Sequence, residues 1–170
     1  SDLQGFQHYA WVTTAYLLTS TAVVPISGKL SDMYGRKMFL VGSASLFVLT
    51  SALCGLSQDM TQLIVFRGVQ GLAGGVLTST VFTVISQIFP PAERGRIQGV
   101  FSGIFGLASI VGPLLGGYLT DNLSWRWVFY VNLPVGLIAL IVLWFSFPNV
   151  RPIARERRID FLGAGALVVG

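Results

Sequence analysis

Five stretches of this chain, residues 10–31, 38–56, 63–88, 97–120 and 127–147, are almost continuously apolar. At a rise of about 1.5 Å per residue, a helix over each would cross a hydrocarbon core of about 30 Å. None shows the apolar–polar alternation of a membrane barrel strand. The expected fold is therefore all-α, a polytopic transmembrane helical bundle. Only 11% of the residues are charged and the mean hydropathy is +0.72, against about 25% charged residues in a soluble domain. A sixth apolar stretch begins near Asp160 and is cut off at Gly170. With no initiator Met before Ser1 and no signal-peptide pattern, the chain is expected to be a piece of a longer protein.

The net charge of +4 invites a nucleic-acid reading, but the basic residues flank apolar runs and form no patch with interleaved aromatics. They are unevenly shared among the connections. Lys29, Arg36 and Lys37 surround the first, none lies in the second, and Arg94 and Arg96 lie in the third. Arg126 is alone in the fourth, while Arg151, Arg155, Arg157 and Arg158 fill the fifth. The positive-inside rule makes the odd connections cytoplasmic and the N-terminus external, in a cell membrane. Aromatics agree: Phe6, Tyr9 and Trp11 mark one outer boundary, and Trp125, Trp127, Phe129 and Tyr130 another. Cys54 and His8 are each single, so no Cys- or His-based metal set is offered, and no cofactor is expected.

Within the spans, three features stand out. On the first helix, Thr14, Thr21, Pro25 and Gly28 fall within about 60° of arc, a small polar stripe expected to face other helices or a cavity. The second span has scattered Ser, Ala and Gly and is read as lipid-facing or supporting, without a functional residue. The third holds Arg67, the one ionised side chain placed inside a span and away from the basic connections. At mid-bilayer it costs about 2.5–3.5 kcal/mol on insertion scales, so it should face protein or water. Gly71, Gly74, Thr78 and Gln70 are its helical neighbours. The competing reading is that Arg67 snorkels to the nearby interface.

The fourth span, from Gly99 to Gly117, is rich in small residues. Gly99, Gly103, Gly106, Pro113 and Gly117 share one face, and Ala108, Gly112 and Gly116 another. Two such faces predict close approach of two neighbouring helices, and Pro113 predicts a bend.

The order of these residues resembles the antiporter motif on the fifth helix of the major facilitator superfamily. Gly99, Gly112-Pro113 and Gly116-Gly117 match it, with Ala108 standing where the family usually has Gly. The run from Gly28 to Lys37 is similar, position by position, to the family's signature loop between helices two and three, Gly-x-Leu-x-Asp-x-x-Gly-Arg-Lys. Gly35 there suits a turn with positive φ, and Asp32 and Arg36 are close enough to pair. The resemblance implies a gating role for Gly28, Asp32, Gly35, Arg36 and Lys37. Glu93 and Arg94 look like the family's partner loop. Arg67, Gln70 and Gly71 resemble the fourth-helix motif associated with proton coupling. The stretch Trp125 to Gly136 is similar to the opening of helix six in drug:proton antiporters, fourteen-helix members above all.

The resemblance places the chain as helices two to six, with the start of seven, in the N-terminal six-helix half of a major facilitator transporter. It implies a proton-coupled multidrug efflux antiporter for hydrophobic or cationic compounds, with protons as coupling ion. Its partners would be the lipid bilayer, a small-molecule substrate and the remainder of the transporter chain. A nutrient symporter on the same fold would not need the glycine pattern, and a non-transporting sensor or scaffold would not need Arg67. An enzyme is not expected, because the spans hold no nucleophile with a base and no carboxylate pair.

Overall fold

The structure, a computed structural model, describes residues 9–146, with the side chains of Tyr9, Asp32 and Met33 outside the description. The sixth stretch near Asp160 and the basic run from Arg151 to Arg158 also lie outside the described residues. Helices run in the order α1 (Tyr9–Tyr34), α2 (Arg36–Leu56), α3 (Met60–Ile88), α4 (Pro91–Asn122), α5 (Trp127–Tyr130) and α6 (Asn132–Ser146). Five of these units, with α5 and α6 together as the last, are long and apolar enough to span a membrane.

The ends of the helices are set by local chemistry. Gly35 takes φ 96° between α1 and α2, a conformation that costs a residue with a Cβ. Its N–H also closes the end of α1 on the Ser31 carbonyl at 3.1 Å. At the start of α3 the Asp59 carboxylate accepts the Gln62 N–H at 2.8 Å, and the Gln62 side chain accepts the Gln58 N–H at 3.1 Å. This is a reciprocal N-terminal cap shifted by one residue. Pro90-Pro91 opens α4, where a missing N–H has no consequence.

Packing centres on α3, which lies between α1 and α2. The α1–α3 contact is parallel and very close. A Cβ on Gly71 would run into the Tyr16 carbonyl and the Thr19 hydroxyl, and one on Gly75 into the Ser20 carbonyl and the Val23 side chain. Gly71 and Gly75, four apart, thus seat two successive α1 carbonyls in the way small-xxx-small pairs join helices in lipid. The Thr19 hydroxyl donates across this seam to the Gly68 carbonyl at 2.7 Å, and the Ser27 and Ser79 hydroxyls meet at 2.6 Å.

On its other side α2 receives the last span in antiparallel fashion. Gly55 lies under the Tyr130 ring, Gly136 against Val48, and Lys37 sits 5.7 Å from the centre of the Trp144 ring. Arg126 reaches back to the Ser57 carbonyl at the end of α2, 3.2 Å away, where a cation suits the helix dipole.

The close backbone approach among the described residues is thus between α1 and α3, and the glycine-rich span does not take part in it. Among the described residues, no atom outside its own helix lies within 4 Å of where a Cβ would stand on Gly99, Gly103, Gly106, Gly112, Gly116 or Gly117 of α4. The helix remains α-helical through Pro113. The first-helix stripe needs a related correction. Thr14 is exposed and bonded to the Ala10 carbonyl of its own helix, and among the described residues nothing lies within 4 Å of where a Cβ would stand on Gly28. Packing uses Tyr16, Thr19, Ser20, Val23 and Ser27 instead.

Gly71→Ala and Gly75→Ala should each lower stability to unfolding in detergent by about 1–3 kcal/mol, the usual range for overpacking. Gly42→Ala, which meets nothing within 4 Å, should be neutral. Equal effects at all three positions would contradict the seam.

Candidate functional site

Arg67 lies one turn before Gly71, so the same seam that draws α1 onto α3 sets its surroundings. Its side chain is half-buried. The guanidinium lies 4.3 Å from the centre of the Tyr16 ring on α1 and 5.9 Å from that of Phe129 on α5. One nitrogen donates to the Gln70 side-chain oxygen at 2.8 Å, and Nε to the Val12 carbonyl at 3.4 Å. Among the described residues these partners are two oxygens and two aromatic faces, none of them a carboxylate. The charge is thus held by dipoles and π clouds.

Gln70 is oriented from behind. Arginine only donates, so Gln70 turns its oxygen to Arg67 and must place its amide N–H₂ elsewhere. Nε2 donates to the Ser51 hydroxyl at 2.5 Å, and the Cys54 thiol contacts Oε1 at 3.9 Å. Gln70 is 1% exposed, and Ser51 and Cys54 are fully buried. The second span thus has a supporting place, since α2 supplies both groups behind Gln70. Neither was legible in the sequence. Ser51 and Cys54 are isolated polar residues in an apolar run, and only the pairing of α2 with α3 brings them to Gln70.

A cleft of about 670 Å³ opens between α1, α3 and α4. Tyr16, Thr21, Pro25, Gly74, Thr78 and Phe105 are among its walls. Thr21 and Pro25, half of the expected first-helix stripe, do face a cavity.

The remaining sequence-selected residues lie at the other end of the helices. Gly35 makes the turn, Arg36 is buried, and Lys37 meets Trp144. Arg94 donates from Nε to the Phe89 carbonyl at 3.0 Å, closing the end of α3, and Glu93 sits in the first turn of α4. The Asp32 side chain, and hence the expected pairing with Arg36, lies outside the description. Gly28 and the α4 residues Gly99, Ala108, Gly112, Pro113, Gly116 and Gly117 are not brought to Arg67. Among the described residues no group of three or more His, Cys, Asp or Glu converges.

Comparison with known proteins gives a consistent picture. The sequence matches the profile of the Major Facilitator Superfamily over residues 2–165. It is similar to Multidrug resistance protein 3 of Bacillus subtilis, 47% identical over 99% of this chain and 33% of that protein. It is likewise similar to the Multidrug transporter protein MdtP of the same organism, 51% identical over 99% of this chain and 31% of that protein. A fungal relative, Efflux pump dotC of Dothistroma septosporum, is 42% identical over 95% of this chain and 29% of its own length. The chain thus spans about a third of the length of the curated relatives it matches.

Ser51→Val leaves the buried Gln70 amide without an acceptor and should reduce stability by about 0.5–2 kcal/mol. Ser51→Thr should restore most of it, and in a Gln70→Leu background Ser51→Val should be almost silent. Unfolding in detergent provides the measurement, and an equal loss in both backgrounds would contradict the Gln70–Ser51 link.

Proposed function

The chain belongs to the Major Facilitator Superfamily, and we propose that the longer protein of which it forms a part is a proton-coupled antiporter exporting hydrophobic or cationic compounds. The names of the bacterial relatives, a multidrug resistance protein and a multidrug transporter at 47% and 51% identity, support the substrate class. The antiporter-like order from Gly99 to Gly117 supports exchange. The observation that carries the reading is Arg67, a fixed cation kept inside the span by Tyr16, Gln70 and the Val12 carbonyl.

Such a charge has a direct use in exchange. A permanent cation lowers the pKa of an acidic side chain brought near it and favours proton release. In this reading the acid is supplied by the rest of the transporter chain, and Arg67, Gln70 and Gly71 form the proton-coupling group. Alternating access comes from rocking of two halves about a midplane site. The turn at Gly28, Asp32, Gly35, Arg36 and Lys37, with Glu93 and Arg94, acts as the cytoplasmic gate, and the N-terminal end of α1 is external. The open glycine face of α4 is where the remainder of the transporter packs.

The test is substrate-induced proton release in vesicles carrying the longer protein. Arg67→Lys keeps the charge without the planar fork of donors and should retain part of the activity. Arg67→Ala should abolish coupled efflux while expression is largely preserved. An Ala variant with wild-type coupling would overturn the reading.

A further inference from the structure

Lys37 is the second residue of α2, just past the Gly35 turn, and its ammonium lies 5.7 Å from the centre of the Trp144 ring on α6. Among the described residues that ring is its partner, and no carboxylate pairs with it and no oxygen accepts from it. Lysine carries three N–H donors, and a π face at this distance draws on the charge without taking a hydrogen bond. The half-buried ammonium therefore keeps its donors open to an acceptor.

Trp144 stands two residues from the end of α6, where tryptophans line the border of a bilayer. One and two turns back along the helix, Ile141 and Leu137 share its face, and all three are more than half exposed. Met38, next to Lys37, is exposed as well. A cation thus tops an open apolar strip, which a phosphate head and its acyl chain would fill together.

The surroundings select the charge of that head. The stretch that follows α6 in sequence is basic, with Arg151, Arg155, Arg157 and Arg158 against Glu156, and so adds cations. The rest of the transporter is placed on the open face of α4, which packs on α3 and α5, whereas α6 packs on α2. A zwitterionic headgroup would bring its own ammonium beside Lys37, to a ring whose π cloud is already shared. A phosphoglycerol headgroup brings the phosphate without that second cation.

We propose that Lys37 and Trp144 form a binding site for one anionic phospholipid, with its phosphodiester on the Lys37 ammonium and an acyl chain along Trp144, Ile141 and Leu137. The inference goes beyond the gating role given to the turn and does not depend on it, because occupancy is read at equilibrium without a gradient.

Quenching of Trp144 by lipids with brominated chains reports which headgroup sits beside it. The purified longer protein is placed in phosphatidylcholine vesicles that contain brominated phosphatidylglycerol, phosphatidylethanolamine or phosphatidylcholine, and the signal lost in Trp144→Phe isolates this tryptophan. Phosphatidylglycerol should bind about fivefold more strongly than phosphatidylcholine, the worth of one basic side chain at an anionic surface. Phosphatidylethanolamine should bind no more strongly than phosphatidylcholine. Lys37→Gln should abolish the preference and Lys37→Arg should keep it. Lys29→Gln removes a charge from the same connection at an exposed residue and should leave the preference intact. Excess soluble glycerol phosphate should not displace the lipid. Equal binding of phosphatidylglycerol and phosphatidylcholine, a preference that survives Lys37→Gln or is lost in Lys37→Arg, or an equal loss in Lys29→Gln would each overturn the proposal. So would phosphatidylethanolamine matching phosphatidylglycerol, or displacement by glycerol phosphate, which would mark a site for a soluble phosphate.

Discussion

The carbonyl oxygens of Tyr16 and Ser20 occupy space that a side chain at Gly71 or Gly75 would fill. In lipid, apolar burial gives two helices little reason to associate, so attraction must come from close backbone packing and interhelical hydrogen bonds. Both are present here, with Thr19 bonded to the Gly68 carbonyl and Ser27 to Ser79 on either side of the glycines. Each such bond is worth about 0.6 kcal/mol on average in a membrane protein. Several acting together over a parallel interface fix the rotation of α1 against α3. That rotation decides which α1 side chain lies over Arg67.

Everything near the charge follows from this placement. Tyr16 can stack on Arg67 only because its own carbonyl is pinned one turn further along α3. Gln70 can present its oxygen to Arg67 only because Ser51, from α2, takes the amide N–H₂. The site is therefore assembled from three helices, one contributing an aromatic face, one the cation and the amide, and one a hydroxyl that selects the amide's orientation. A half-buried guanidinium held in this way is fixed in position by its partners.

The sequence made some of this legible and hid the rest, for physical reasons. Hydropathy and length locate spans because the bilayer requires them of any helix that crosses it. Gly35 was readable as a turn because positive φ favours glycine so strongly, and it takes φ 96°. Arg67 and Gln70 were readable because ionised and amide groups are costly inside a span. Glycine-rich faces were only half readable. The richest series, on α4, meets no neighbour among the described residues, while Gly71 and Gly75 form the tight contact. A small residue permits close approach, but the partner decides whether it happens. Ser51 and Cys54 were silent for the same reason, since a lone hydroxyl or thiol in an apolar run also satisfies itself against its own helix.

The most direct measurement of the α1–α3 seam is a cross-link across it. Ser27 and Ser79 have their hydroxyl oxygens 2.6 Å apart, so Ser27→Cys with Ser79→Cys, in a Cys54→Ser background, should form an intramolecular disulfide almost completely under mild oxidation in membranes. Leu18→Cys with Leu72→Cys, both exposed, should not. A seam pair that stays reduced, or one that cross-links no better than the exposed pair, would contradict the parallel glycine contact on which the Arg67 site depends.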